Sequence, residues 1–128
     1  MNNRSALVAG ALLVGSALSH AFAFAEEHAA EALKHTNEAL NSPGDSSAIR
    51  QHAVEALKHL EAAKEANAHR PEVVEHLEKG EAELRGAIEH ASHYNATTAT
   101  DTATDARAHL ENARSAAQNP DASKPLTK

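Results

Sequence analysis

The chain has 128 residues, with 12 Lys and Arg against 18 Asp and Glu, a formal net charge of −6 at pH 7, 10 His and no Cys. The negative balance argues against nucleic acid, whose phosphates need Lys and Arg, and no basic stripe points to an anionic membrane. Without Cys there is no disulfide brace and no thiolate ligand, and with 2% aromatic residues a core has to be built from Leu, Ile, Val and Ala.

Met1 to Arg4 is a polar start with one positive charge, and Ala6 to Leu18 is an apolar stretch interrupted by Gly10, Gly15 and Ser16. Ala23-Phe24-Ala25 then presents small residues where a signal peptidase reads. The apolar run falls short of the roughly 20 residues of a comfortable membrane span. The pattern predicts a signal peptide over 1–25 and a periplasmic or secreted protein beginning at Glu26, with an uncleaved anchor as the alternative. Removing 25 of the 128 residues leaves 103, one small domain, and removing Arg4 makes the net charge −7.

Four helical segments follow, and they make up one domain over 26–117. The first runs from about Glu26 to Leu40, with Ala29, Leu33, Thr36 and Leu40 at spacings of four and three. Asn41-Ser42-Pro43-Gly44-Asp45 is a turn by composition. The second runs from about Ser47 to Asn67, capped by Asp45 or Ser46, with Ile49, Ala53, Ala56, Leu57, Leu60 and Ala63 on one stripe. Pro71 suits the first position of a third helix, which runs to about His93 through Val74, Leu77, Leu84 and Ile88. Gly80 and Gly86 each weaken it by up to about 1 kcal/mol relative to Ala. Tyr94 to Thr98 reads as a loop, and Thr98, Thr100 and Asp101 offer start signals for a fourth helix to about Ala117. Its apolar face is thin: Ala99, Ala103, Ala106, Leu110 and Ala113. Residues 118–128, with Pro120 and Pro125, form a flexible tail. Short connections between helices of similar length predict an all-α, antiparallel, up-down-up-down four-helix bundle. The alternatives are a three-helix bundle with a frayed fourth segment, or a dimer of hairpins.

The sequence Glu31-Ala32-Leu33-Lys34-His35 recurs as Glu55-Ala56-Leu57-Lys58-His59, each with a second histidine seven residues upstream, His28 and His52. On a helical wheel with Ala56 at zero, Ile49, Ala53, Leu57 and Leu60 lie at roughly 20°, 60°, 100° and 40°. His52 and His59 lie at roughly −40° and −60°, together on the shoulder of the apolar stripe. Residues seven apart are about 10.5 Å apart along the axis. One ion with bonds near 2 Å therefore cannot join His28 to His35, or His52 to His59. The repeat predicts several sites, each imidazole finding partners three or four residues away or on an adjacent helix. Glu31 and Glu55 each stand between the two His of their repeat, Glu72 precedes His76 by four, and Asp105 precedes His109 by four. His90 and His93 form a chelating pair, and His69 stands in the second connection. Any one Glu–His pair also reads as a helix-stabilising contact worth a few tenths of a kcal/mol. The whole set of His, without Cys or a catalytic partner, points to metal.

Cleavage after Ala25 would create a second arrangement, starting Glu26-Glu27-His28. Its free amine, two amide nitrogens and the third-residue imidazole can wrap Cu(II) or Ni(II) in a square plane, a geometry that suits these ions over Zn(II). Cleavage after Ala23 would abolish it.

The repeats His28 to His35 and His52 to Leu60, with Ala87-Ile88-Glu89-His90 and Ala108-His109-Leu110, resemble the small metal-binding protein (SmbP-like) family of His-rich periplasmic four-helix proteins. The likeness spans most of Glu26 to Ala117. It implies scavenging, storage or buffering of divalent transition metals outside the cytoplasm, Cu(II) favoured, with Ni(II) and Zn(II) as alternatives. Glu83 and Thr102 stand where the heptad would place further His. The resemblance thus implies fewer or weaker sites on the third and fourth helices.

An enzyme is the first rival. No His has Glu three residues before it, so the paired motif of di-iron bundles is missing; His-Glu-x-x-His is missing too. Covalent haem would need Cys-x-x-Cys-His, and a Met–His haem pair needs a Met beyond Met1. The second rival is a metal-free structural or chaperone-like helical protein whose His tune its charge.

Overall fold

Ala, Glu, Lys and Leu are strong helix formers, and they make up more than half of the residues between this chain's breakers. The computed structural model describes residues 15–119 as four helices: α1 (Gly15–Leu40), α2 (Ser46–Ala66), α3 (Pro71–Ser92) and α4 (Ala96–Gln118). Contacts run from α1 to α2, α2 to α3, α3 to α4 and α4 back to α1. This is the expected four-helix bundle with full-length α4, and not a three-helix core with a frayed segment.

Caps fix the boundaries. Asp45 accepts a hydrogen bond from Ala48 N at 3.0 Å and starts α2, and Pro71 opens α3. The start of α4 differs from the Thr98 expected: Asn95 is the cap, its Oδ1 accepting from Thr98 N at 3.2 Å. The preceding turn explains why so short a connection suffices. Tyr94 takes a left-handed backbone, φ 56, while its N–H reaches Ala91 O at 3.0 Å and the Asn95 N–H reaches His90 O at 2.9 Å. That closing pattern usually employs Gly, so Tyr94 costs about 1–2 kcal/mol of backbone strain.

The start of α1 also differs. The helix runs back to Gly15, because Ala23-Phe24-Ala25 holds no breaker and Ala25 is buried. Of the segments expected at the ends, residues 1–14 of the signal peptide and 120–128 of the tail lie outside the described residues. Gln118 still belongs to α4. No helix among the described residues is long and apolar enough to cross a membrane.

The buried faces of α2 and α4 consist of the stripes read from the sequence. Elsewhere the smallest residues take the centre. On α1, Ala32, Thr36 and Ala39 are fully buried, with Ala29 and Leu33 packed at the flank. The Thr36 hydroxyl is satisfied by donating to Ala32 O at 2.8 Å. On α3 the buried residues are Val73, Leu77, Gly80, Leu84, Ala87 and Ala91, with Val74 and Ile88 only partly covered. Gly80 is more than a weak helix former: a Cβ there would stand 3.3 Å from Leu110 Cδ2 and 3.6 Å from Leu60 Cδ1. Small residues at the axis let the helices approach closely, which brings the flanking side chains of neighbouring helices into contact.

One ion-pair network ties α2 to α3. Glu81 accepts from Lys64 Nζ at 2.6 Å and from Arg85 Nη2 at 2.8 Å. These two hydrogen bonds, Lys64 first, hold the Glu81 carboxyl below its usual value of 4.5 against the opposing effect of burial. The folded state thus favours the ionised form, so the contribution is present above pH 4.5 and fades as acidity carries the pH below it. Glu81→Gln is expected to cost about 1 kcal/mol at neutral pH. Urea titrations should show the gap from the parent chain closing as pH falls through and below 4.5.

Candidate metal site

Heptad spacing leaves the imidazoles of a single helix about 10.5 Å apart, too far to share an ion. Two antiparallel helices, each with such a row on the shoulder facing the other, interleave their rows and halve that interval to about 5 Å. The seam between α1 and α2 does this. Ring centroids step from His28 to His59 at 5.3 Å, from His59 to His35 at 5.6 Å and from His35 to His52 at 6.1 Å. The last two steps are near-parallel stacks, at 14° and 25°. In the first, the two Nδ1 atoms lie 3.0 Å apart, one donating its N–H to the lone pair of the other.

Carboxylates complete the ladder. Glu31, His35 and His59 bring ligand atoms within 4.8 Å of one another, and so do His35, Glu38 and His52. All of these residues are half-buried, shielded yet reachable by an ion. Glu38 Oε2 lies 2.8 Å from His35 Nδ1 and 3.1 Å from His52 Nδ1, so a single oxygen already stands between two imidazoles from different helices. The His35 contact is off the N–H axis, which leaves that enclosed nitrogen without a hydrogen bond. Glu31 is tied to Lys34 at 3.1 Å. Its carboxyl is held below the usual range first by that hydrogen bond, then by the Lys34 charge and by His59 and His35, against desolvation.

The other residues marked in the sequence fall into three sets. Glu55 stays outside both ligand groups: it binds Lys58 at 2.6 Å, and its lowered pKa comes first from that hydrogen bond, with His35 and His59 among the lesser causes. On the α3–α4 seam, His76 and His109 meet with ring centroids 6.5 Å apart, and Glu72 borders the surface depression beside His76; Asp105 is exposed. His90 is half-buried near the end of α3, while His93 caps that helix and is exposed. His69 is exposed in the α2–α3 connection, 6.1 Å from the Phe22 ring. At the head of the ladder, the Phe24 ring sits edge-on to His28 at 4.3 Å.

Glu38 is the residue that spacing rules passed over. It stands three after His35, a helical neighbour, but lies outside the repeated Glu-Ala-Leu-Lys-His unit. The usable signal was the register of the antiparallel pair: with a five-residue connection over 41–45, Glu38 comes level with His52.

A family profile described as Small metal-binding protein matches residues 1–113, and the chain belongs to that family. No curated protein and no solved structure matches it. The His and Glu groups of the α1–α2 seam can hold a metal ion. Glu38→Gln is expected to weaken metal binding about tenfold or more, whereas Glu55→Gln should leave it unchanged. Competition titration against a chelating dye measures both.

Proposed function

We propose that this member of the small metal-binding protein family is an exported carrier that buffers, stores or scavenges divalent transition metals in the periplasm, copper(II) first, with nickel(II) and zinc(II) as alternatives. The observation that carries this reading is the imidazole ladder of α1 and α2 with its two carboxylates. Imidazole nitrogen suits copper, nickel and zinc, whereas all-oxygen sites suit magnesium, calcium and manganese. Each group supplies three protein ligands and leaves further positions to water, at a half-buried surface. Such sites release their ion readily, as buffering requires, unlike closed four-ligand structural sites. No step of bond-making chemistry is assigned to the protein, and its role is not enzymatic.

His35 belongs to both groups. A neutral imidazole carries one lone pair and one N–H on its ring nitrogens, so His35 serves one ion at a time. The seam then takes its first ion with His35 and a second only with weaker help, which gives graded affinities. Because the rings must be neutral to bind, acid releases the cargo.

Export follows from the signal-like start. Removal of residues 1–25 would take away Phe24 and uncover His28, and would leave the amino-terminal Glu26-Glu27-His28 arrangement for copper(II) or nickel(II). Equilibrium dialysis against copper(II) tests the whole reading. The chain should bind at least one ion at micromolar metal, and His35→Gln should lose about a tenfold or larger share of the seam affinity with its helix content retained. Less than one ion per chain, or full binding by His35→Gln, would favour a metal-free helical protein with pH-sensitive charge.

A further inference from the structure

The end of the bundle opposite the turn over 41–45 holds a pocket that metal binding leaves unused. Ala29 of α1, Val73 and Leu77 of α3, and Ala113 and Ala117 of α4 supply its apolar lining, and the Phe22 ring borders it. Its volume is about 80 Å³. A cavity of roughly 150 Å³ accepts benzene, so this one has room for a short aliphatic chain and not for an aromatic ring.

The polar groups at the pocket decide what else a ligand needs. Asn67 is engaged, its Nδ2 donating to Ala63 O at 2.8 Å. Arg70 is engaged as well: its Nη2 donates to the carbonyls of Ala116 and Ala117 at the end of α4, and its guanidinium lies 5.8 Å over the Phe22 ring. Arg114 is different. Its Nε is enclosed and has no hydrogen-bond partner, a condition that folded proteins rarely leave unrelieved. The Nε edge of a guanidinium is one side of the planar fork that takes both oxygens of a carboxylate. Glu26 also borders the pocket, exposed on α1. Two guanidiniums against one carboxylate leave the lining with a net charge of +1, which complements a monoanion better than a dianionic phosphate.

We propose that this pocket binds short-chain aliphatic carboxylates, with Arg114 holding the carboxylate and the tail lying among Val73, Leu77 and Ala113. No imidazole takes part, so the site stands apart from the α1–α2 seam. Of the residues named, only Phe22 belongs to 1–25, so the apolar lining and Arg114 remain in a chain that begins at Glu26.

Isovalerate is the probe, and isoamyl alcohol, with the same branched tail and no charge, is its control. Each is titrated into the full chain in metal-free buffer while the methyl signals of Val73, Leu77 and Ala113 are followed by NMR. Isovalerate should shift all three saturably and bind about tenfold more tightly than the alcohol. Arg114→Gln should bring the acid down to the affinity of the alcohol and leave the alcohol unchanged. If Arg114→Gln fails to fold, Ala117→Leu, which fills the pocket, should abolish the shifts from both. Unmoved methyl signals, equal affinity for acid and alcohol, a preference for the acid that survives Arg114→Gln, or shifts that survive Ala117→Leu would overturn the proposal. Metal is absent from every arm, so failure of divalent binding at the α1–α2 seam leaves these outcomes untouched.

Discussion

Antiparallel packing of α1 against α2 turns two rows of imidazoles, each too sparse to chelate, into one row dense enough to do so. Within a helix the heptad interval is set by the rise of the backbone, and no side-chain rotation closes it. Only a neighbour running the opposite way, in the register fixed by the turn over 41–45, places His59 between His28 and His35, and His35 between His59 and His52. The ligand groups, the sharing of His35 and the position of Glu38 all follow from that register.

The register in turn depends on how closely the helices approach. Fully buried Ala32, Ala39, Ala53 and Ala56 keep the axis of the bundle thin, so the imidazoles on the shoulders touch and do not splay into solvent. The arrangement has a cost. The enclosed His35 Nδ1 has no hydrogen bond, although the Glu38 carboxylate lies 2.8 Å away. A bundle with a core of small residues buries little apolar area, so it has little reserve to absorb such tension. A bound cation relieves it by giving the His35 nitrogen a bond, and ligand binding to the folded form stabilises that form. Function and stability are therefore linked at His35.

Much of this was legible in the sequence because periodicity reports it directly. The stripes of α2 and α4, Ile49 to Ala63 and Ala99 to Ala113, were complete, and the wheel put His52 and His59 on the shoulder where they stand. What was not legible depended on partners distant in sequence. Leu33 and Ile88 looked central by hydrophobicity, yet Ala32 and Ala87 occupy the axis, since close approach selects for small size. Asn95 starts α4 because the left-handed turn at Tyr94 delivers the chain to it, and residue types alone favoured the threonines that follow. Glu38 and Glu55 exchange importance for a similar reason: Glu55 belongs to the repeat but brings no ligand atom into either group, whereas Glu38 belongs to no repeat yet reaches His52 on the second helix.

The most direct test uses copper(II) as a paramagnetic probe, added well below one equivalent to the folded chain while histidine ring signals are observed. The interleaved seam predicts that His28, His35, His52 and His59 broaden together while the exposed His69 and His93 remain sharp. Broadening of His69 and His93 before the seam, or equal broadening of every histidine, would contradict a preorganised site between α1 and α2.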